Sequence, residues 1–76
     1  MLVVRDCLAI NLNNCTDFYC ETEIDEFKII FCMNMMAEQG SCSYWNELKY
    51  DSEKEMLEDF HEIVRFYSQN EKVCEL

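Results

Sequence analysis

With no proline and a single glycine, Gly40, this chain has almost none of the residues that interrupt secondary structure. No linker, low-complexity tract or internal repeat divides it, so residues 1–76 read as one compact domain. A chain of this length buries only ~60% of the surface it exposes when unfolded, which is enough for one core and no more. Half of the residues are hydrophobic and 13% are aromatic, which places the chain among folded domains rather than disordered ones.

Residues 2–12 alternate, with Leu2, Val4, Leu8, Ile10 and Leu12 at period two and Asp6 as the one interruption, and this pattern predicts a half-buried strand. Asn13-Asn14-Cys15-Thr16-Asp17 then reads as a turn, because Asn and Asp tolerate left-handed backbone angles. Residues 18–24 alternate again, placing Phe18, Cys20, Thr22 and Ile24 on one face and Tyr19, Glu21 and Glu23 on the other. Asp25-Glu26 is short enough to close a hairpin into residues 27–36, which are apolar on both faces, as in a central strand. Ala37 to Ser41 contains Gly40 and predicts the next turn. Residues 42–50 fit a fourth strand or a short helix, since Asn46 disturbs the alternation.

Ser52 and Glu55 form a Ser-x-x-Glu capping box, in which each side chain satisfies a backbone donor at a helix start. The helix should run over about residues 52–69 and stop at Asn70. Its apolar stripe should be Met56, Leu57, Phe60, Ile63, Val64 and Tyr67. The expected fold is therefore α+β, a three- to four-stranded antiparallel meander packed against one C-terminal helix. In this register Tyr19, Trp45 and Phe66 project away from the main apolar stripes, where exposed aromatics beside charge often anchor interfaces.

The N-terminus lacks a signal-peptide pattern, and no apolar run reaches the 18 residues of a membrane span, so the expectation is a reducing, intracellular (cytoplasmic) setting. That reading favours free thiols for Cys7, Cys15, Cys20, Cys32, Cys42 and Cys74 over a disulfide framework. Their spacing holds no Cys-x-x-Cys pair, and His61 is the only histidine, so zinc ligation by these residues is a rival reading without a motif behind it. Thiol catalysis needs a thiolate beside positive charge, and the acidic setting opposes that. One glycine cannot build a phosphate loop, and nothing marks a nucleophile elbow. The chain reads as no enzyme, without a cofactor.

Sixteen acidic residues against six basic ones give a net charge of −10. Such a field repels nucleic acid and anionic membranes and speeds encounter with basic partners, although a plain role in solubility explains it equally well. Two blocks carry the charge: residues 17–26, with Glu21, Glu23 and Asp25, and residues 51–62, with Glu55, Glu58, Asp59 and Glu62. On a helix Glu55/Asp59 and Glu58/Glu62 are like-charged pairs that cost roughly 0.2–0.5 kcal/mol each, partly offset by Lys54/Glu58 and Glu62/Arg65. Carboxylates four residues apart stand ~6 Å apart along the axis, of the same order as phosphate spacing.

In size, acidity and lack of a catalytic motif, the chain resembles the small inhibitors of phages and mobile elements, including anti-CRISPR proteins, some of which mimic nucleic acid. The resemblance is one of composition and rests on no specific residues. It implies a viral or mobile-element protein that binds a basic, nucleic-acid-binding effector and blocks its groove through Glu21, Glu23, Asp25, Glu55, Glu58, Asp59 and Glu62. A third reading is a subunit or homodimer joined through a free sheet face.

Overall fold

The computed structural model describes the backbone of residues 1–37 and 40–76 and the side chains of residues 1–33 and 45–76. The order of elements is β1 (Leu2–Arg5), β2 (Leu8–Asn11), a 3-10 turn (Leu12–Asn14), β3 (Cys15–Glu23), β4 (Glu26–Ala37), β5 (Gly40–Tyr50), α1 (Glu53–Ser68) and β6 (Val73–Glu75). The antiparallel meander β3-β4-β5 lies against the single helix, as the pattern predicted, and a second sheet of order β2-β1-β6 completes the fold. Residues 42–50 belong to a strand rather than a helix. Of the turn expected over Ala37–Ser41, Ala37, Gly40 and Ser41 belong instead to the paired strands β4 and β5, and residues 38–39 lie outside the described residues.

The strand expected over 2–12 is instead a hairpin, closed at Asp6-Cys7 with Asp6 at φ 54. A two-residue turn pairs odd positions with even ones, so Val3 faces the core beside Ile10, its partner in the ladder. Both are 1% exposed, while Leu2 and Leu8, assigned to the buried face by unbroken alternation, lie at the surface. Asn11 then caps the 3-10 turn by accepting from the Asn13 amide at 3.0 Å. The expected turn at 13–17 ends sooner, because Cys15 already pairs with Met33. A bulge at Thr16 lets both Cys15 and Phe18 sit on the inner side.

At the β3–β4 junction the two turn residues are Ile24 and Asp25, and Asp25 takes φ 64. Ile24, read as an inner-face residue, stands at the hairpin tip. Ile29, Phe31, Met33, Leu48 and Tyr50 line the inner face of the meander and meet Met56, Ile63 and Phe66 of the helix, with Val3, Ile10, Leu12 and Cys74 behind them. Phe18 stacks on Phe31 at 5.9 Å between ring centroids and meets Phe60 edge-on at 5.8 Å.

Helix α1 starts at the predicted cap, with the Ser52 hydroxyl accepting from the Glu55 amide at 3.2 Å, while the Glu55 side chain makes no return bond to the Ser52 amide among the described residues. At its other end the Asn70 amide donates to the Tyr67 carbonyl at 3.1 Å and the Glu71 amide to Phe66 at 3.3 Å, with Asn70 at φ 55. This is a Schellman motif with Asn in the position usually taken by Gly. It turns the chain back so that β6 runs parallel to β1, placing Cys74 opposite Val3. Because β6 offers the helix a second apolar contact, the buried stripe is rotated from the one expected. Phe66 is fully buried rather than outward, whereas Val64 and Tyr67 are exposed.

Candidate functional site: the uncovered face of the meander

Alternation along β3, β4 and β5 sends every second residue away from the helix. The ladder sets these outer residues in rows: Asp17, Cys32 and Trp45; then Tyr19, Ile30 and Glu47; then Glu21, Lys28 and Lys49; and last the pair Glu23 and Glu26. Among the described residues no other element packs on this face. Tyr19, Glu21, Lys28, Ile30, Cys32, Trp45 and Glu47 enclose a shallow depression of about 360 Å³. Its floor is apolar, since Ile30 is only 5% exposed between its neighbours. Tyr19 and Trp45, 44% and 67% exposed, flank it on β3 and β5, diagonally placed one row of the ladder apart.

The single cation beside the floor is held by the chain's own carboxylates. The Lys28 ammonium lies 3.2 Å from Glu26 and 3.7 Å from Glu47. The hydrogen bond to Glu26, opposed by partial desolvation, raises the Lys28 pKa, so its positive charge is retained and locally cancelled. Desolvation first, then the neighbouring Cys32, Glu21 and Asp17, raise the Tyr19 phenol pKa, which keeps that ring neutral.

No known protein family, curated protein or solved structure matches this chain. The site therefore rests on its own geometry.

The seven carboxylates expected to form one binding surface are divided by the sheet. Glu21 and Glu23 lie on the outer face and Asp25 at the adjoining hairpin tip, whereas Glu55, Glu58, Asp59 and Glu62 belong to the helix on the opposite face. Two of the helix groups are engaged within the molecule. Asp59 accepts the Tyr50 hydroxyl at 2.8 Å, and Glu62 binds the Arg65 guanidinium, which holds the Glu62 carboxyl below its usual pKa. Glu21, Glu23, Asp25, Glu55 and Glu58 form no ion pair among the described residues, so the expected Lys54/Glu58 offset is absent there.

The thiols do not assemble into a site. Cys7, Cys15, Cys20, Cys32 and Cys74 are free, and the side chain of Cys42 lies outside the described residues. Burial, chiefly, raises the pKa of Cys15, Cys20, Cys32 and Cys74, which suppresses the nucleophilic thiolate. Among the described residues no three Cys, His, Asp or Glu side chains converge on a metal position. No described helix is long and apolar enough to cross a membrane.

Sequence reasoning found Tyr19 and Trp45 but missed Lys28, Ile30, Cys32 and Glu47. The available signal was Lys28, the one charged residue in the apolar run 27–33.

Proposed function

We propose that this chain is a small acidic protein-binding module that occupies a basic groove on a nucleic-acid-binding partner, an inhibitor in the manner of the phage and mobile-element proteins its composition resembles. The observation that carries this reading is where the charge sits. No charged side chain is buried among the described residues, and Glu21, Glu23 and Asp25 cluster at one end of a sheet face that also presents two exposed aromatic rings. The backbone that carries these carboxylates is already ordered by the hairpin, so binding adds only the cost of fixing side chains, and their field accelerates encounter with a cationic surface.

Because the helix carboxylates lie across the sheet and two of them are paired internally, the contact is centred on the β3–β4 hairpin. Glu55 and Glu58 contribute to the long-range field. The test is capture from a bacterial lysate on immobilised protein, with elution by salt and competition by duplex DNA. The expected outcome is that nucleic-acid-binding proteins are retained, that DNA displaces them, and that Glu21→Lys with Glu23→Lys weakens capture far more than Glu55→Lys with Glu58→Lys. Retention that is indifferent to salt, to DNA and to both reversals overturns the reading.

A further inference from the structure

We propose that the uncovered face of the meander is an arginine-docking face, which takes guanidinium side chains of the basic partner between Tyr19 and Trp45. The inference rests on the reading above and deepens it by naming which cation is recognised and where.

Charge on this face favours a cation. Asp17, Glu21, Glu23, Glu26 and Glu47 oppose Lys28 and Lys49, five against two, and Lys28 is already held by Glu26 and Glu47. Shape and polarity then favour arginine. The strands carrying Tyr19 and Trp45 stand two strand spacings apart, ~9.6 Å, with β4 between them. The depression between the two rings has an apolar floor at Ile30 and Cys32 and carboxylates at Glu21 and Glu47. A guanidinium is planar and weakly hydrated, so it can lie on an aromatic face while its N–H groups reach a carboxylate. An ammonium is a compact, strongly hydrated charge that gains less from such a floor.

The chain already makes one guanidinium–aromatic contact of its own, over a single ring and with a backbone carbonyl as acceptor. The Arg5 guanidinium sits 4.1 Å from the centre of the Tyr50 ring and donates to the Lys49 carbonyl at 2.7 Å, while the Tyr50 hydroxyl donates to Asp59. A second copy of this chain is the poorer occupant, since it would bring one charge of −10 against another.

The test is calorimetric titration of the purified protein with hexa-arginine and with hexalysine at equal salt, with Trp45, the only tryptophan, as a fluorescent reporter. The expected result is tighter binding of hexa-arginine by at least about threefold, with a change in Trp45 emission on saturation. Tyr19→Ala and Trp45→Ala should each cut that preference to below about twofold, and Glu58→Lys should leave it intact. Both aromatic side chains are exposed, so these variants keep the fold; Trp45→Phe, which retains a ring, should retain the preference. Equal affinity for the two peptides with unchanged emission overturns the arginine face while leaving the acidic-module reading standing. Binding of neither peptide overturns both. A dimer in light scattering that dissociates on Trp45→Ala overturns the partner in favour of a second copy.

Discussion

The two faces of the β3–β4–β5 meander are made by the same three strands and differ only in which alternate residues they carry, yet one is a core and the other a surface. On the inner face, Phe31 is fully buried between Phe18 and the helix, and Ile29 and Leu48 flank it in the ladder. On the outer face, the neighbouring positions are Ile30, Cys32, Trp45 and Glu47, and only Ile30 is closed off from solvent. The difference teaches that an apolar residue on this chain is not by itself a core residue. What settles its role is whether α1 and the second sheet reach it.

The largest expected effect tests that division directly. Phe31→Ala should cost ~3–5 kcal/mol, by lost transfer energy and the cavity it leaves, which is most of the stability of a domain this small. Trp45→Ala removes a larger ring from the outer face and should cost less than about 0.5 kcal/mol. Urea denaturation of both variants measures the contrast, and comparable losses would mean that the outer face is covered in solution.

A smaller effect comes from a polar group that the inner face holds. Tyr50 is 7% exposed and gives its hydroxyl to Asp59, so Tyr50→Phe should cost about 1–2 kcal/mol. Burial, and then the bond to Asp59, raise its phenol pKa, with Arg5 opposing. Between the unfolded and the folded pKa, the native state keeps a proton that the unfolded chain has released. The stabilisation is therefore whole below the unfolded value of ~10 and is lost as pH rises toward the folded one. The half-buried Cys15 and Cys20 thiols and the buried Cys74 thiol shift the same way and begin to act near ~8.5. Thermal melts from pH 8 to 11 should fall throughout in the native chain, and Tyr50→Phe should flatten the part of that fall that sets in above ~10.

How much of this division was legible in the residues follows from the range of the interactions. Local signals carried through: the Ser52/Glu55 cap, the stop at Asn70, the strands of the meander, and the outward Tyr19 and Trp45. Each is decided within a few residues. The Asp6-Cys7 hairpin was hidden because its two strands share an alternating pattern that looks continuous when written in one line, and only pairing of Val3 with Ile10 reveals the change of parity. Strand β6 was hidden because three residues with one inward side chain, Cys74, carry no periodicity; β1 supplies the partner from the far end of the chain. Once β6 is present, the helix turns Phe66 inward and Tyr67 outward, which helical spacing alone could not specify. The candidate site was partly legible for the same reason. Its carboxylates were visible, but their separation onto opposite faces depends on which side of the sheet the helix covers.

A further small effect on stability carries the sharpest test of the comparison. Lys28 lies on the outer face, 3.2 Å from Glu26 and 3.7 Å from Glu47, and such surface pairs contribute ~0–1 kcal/mol. Lys28→Met keeps an apolar stem on the same face as Ile30 and removes the charge, so denaturation should move by less than about 1 kcal/mol, and less still in high salt. Its effect on binding should have the opposite sign. With the ammonium gone, Glu26 and Glu47 are released from their internal partner and the face becomes more negative, so association with a basic protein should speed up and its salt dependence steepen. Stopped-flow association at two ionic strengths reads both quantities. A face that served only to keep the chain in solution would show the small stability change without the faster association, whereas a face built to receive cations must show both.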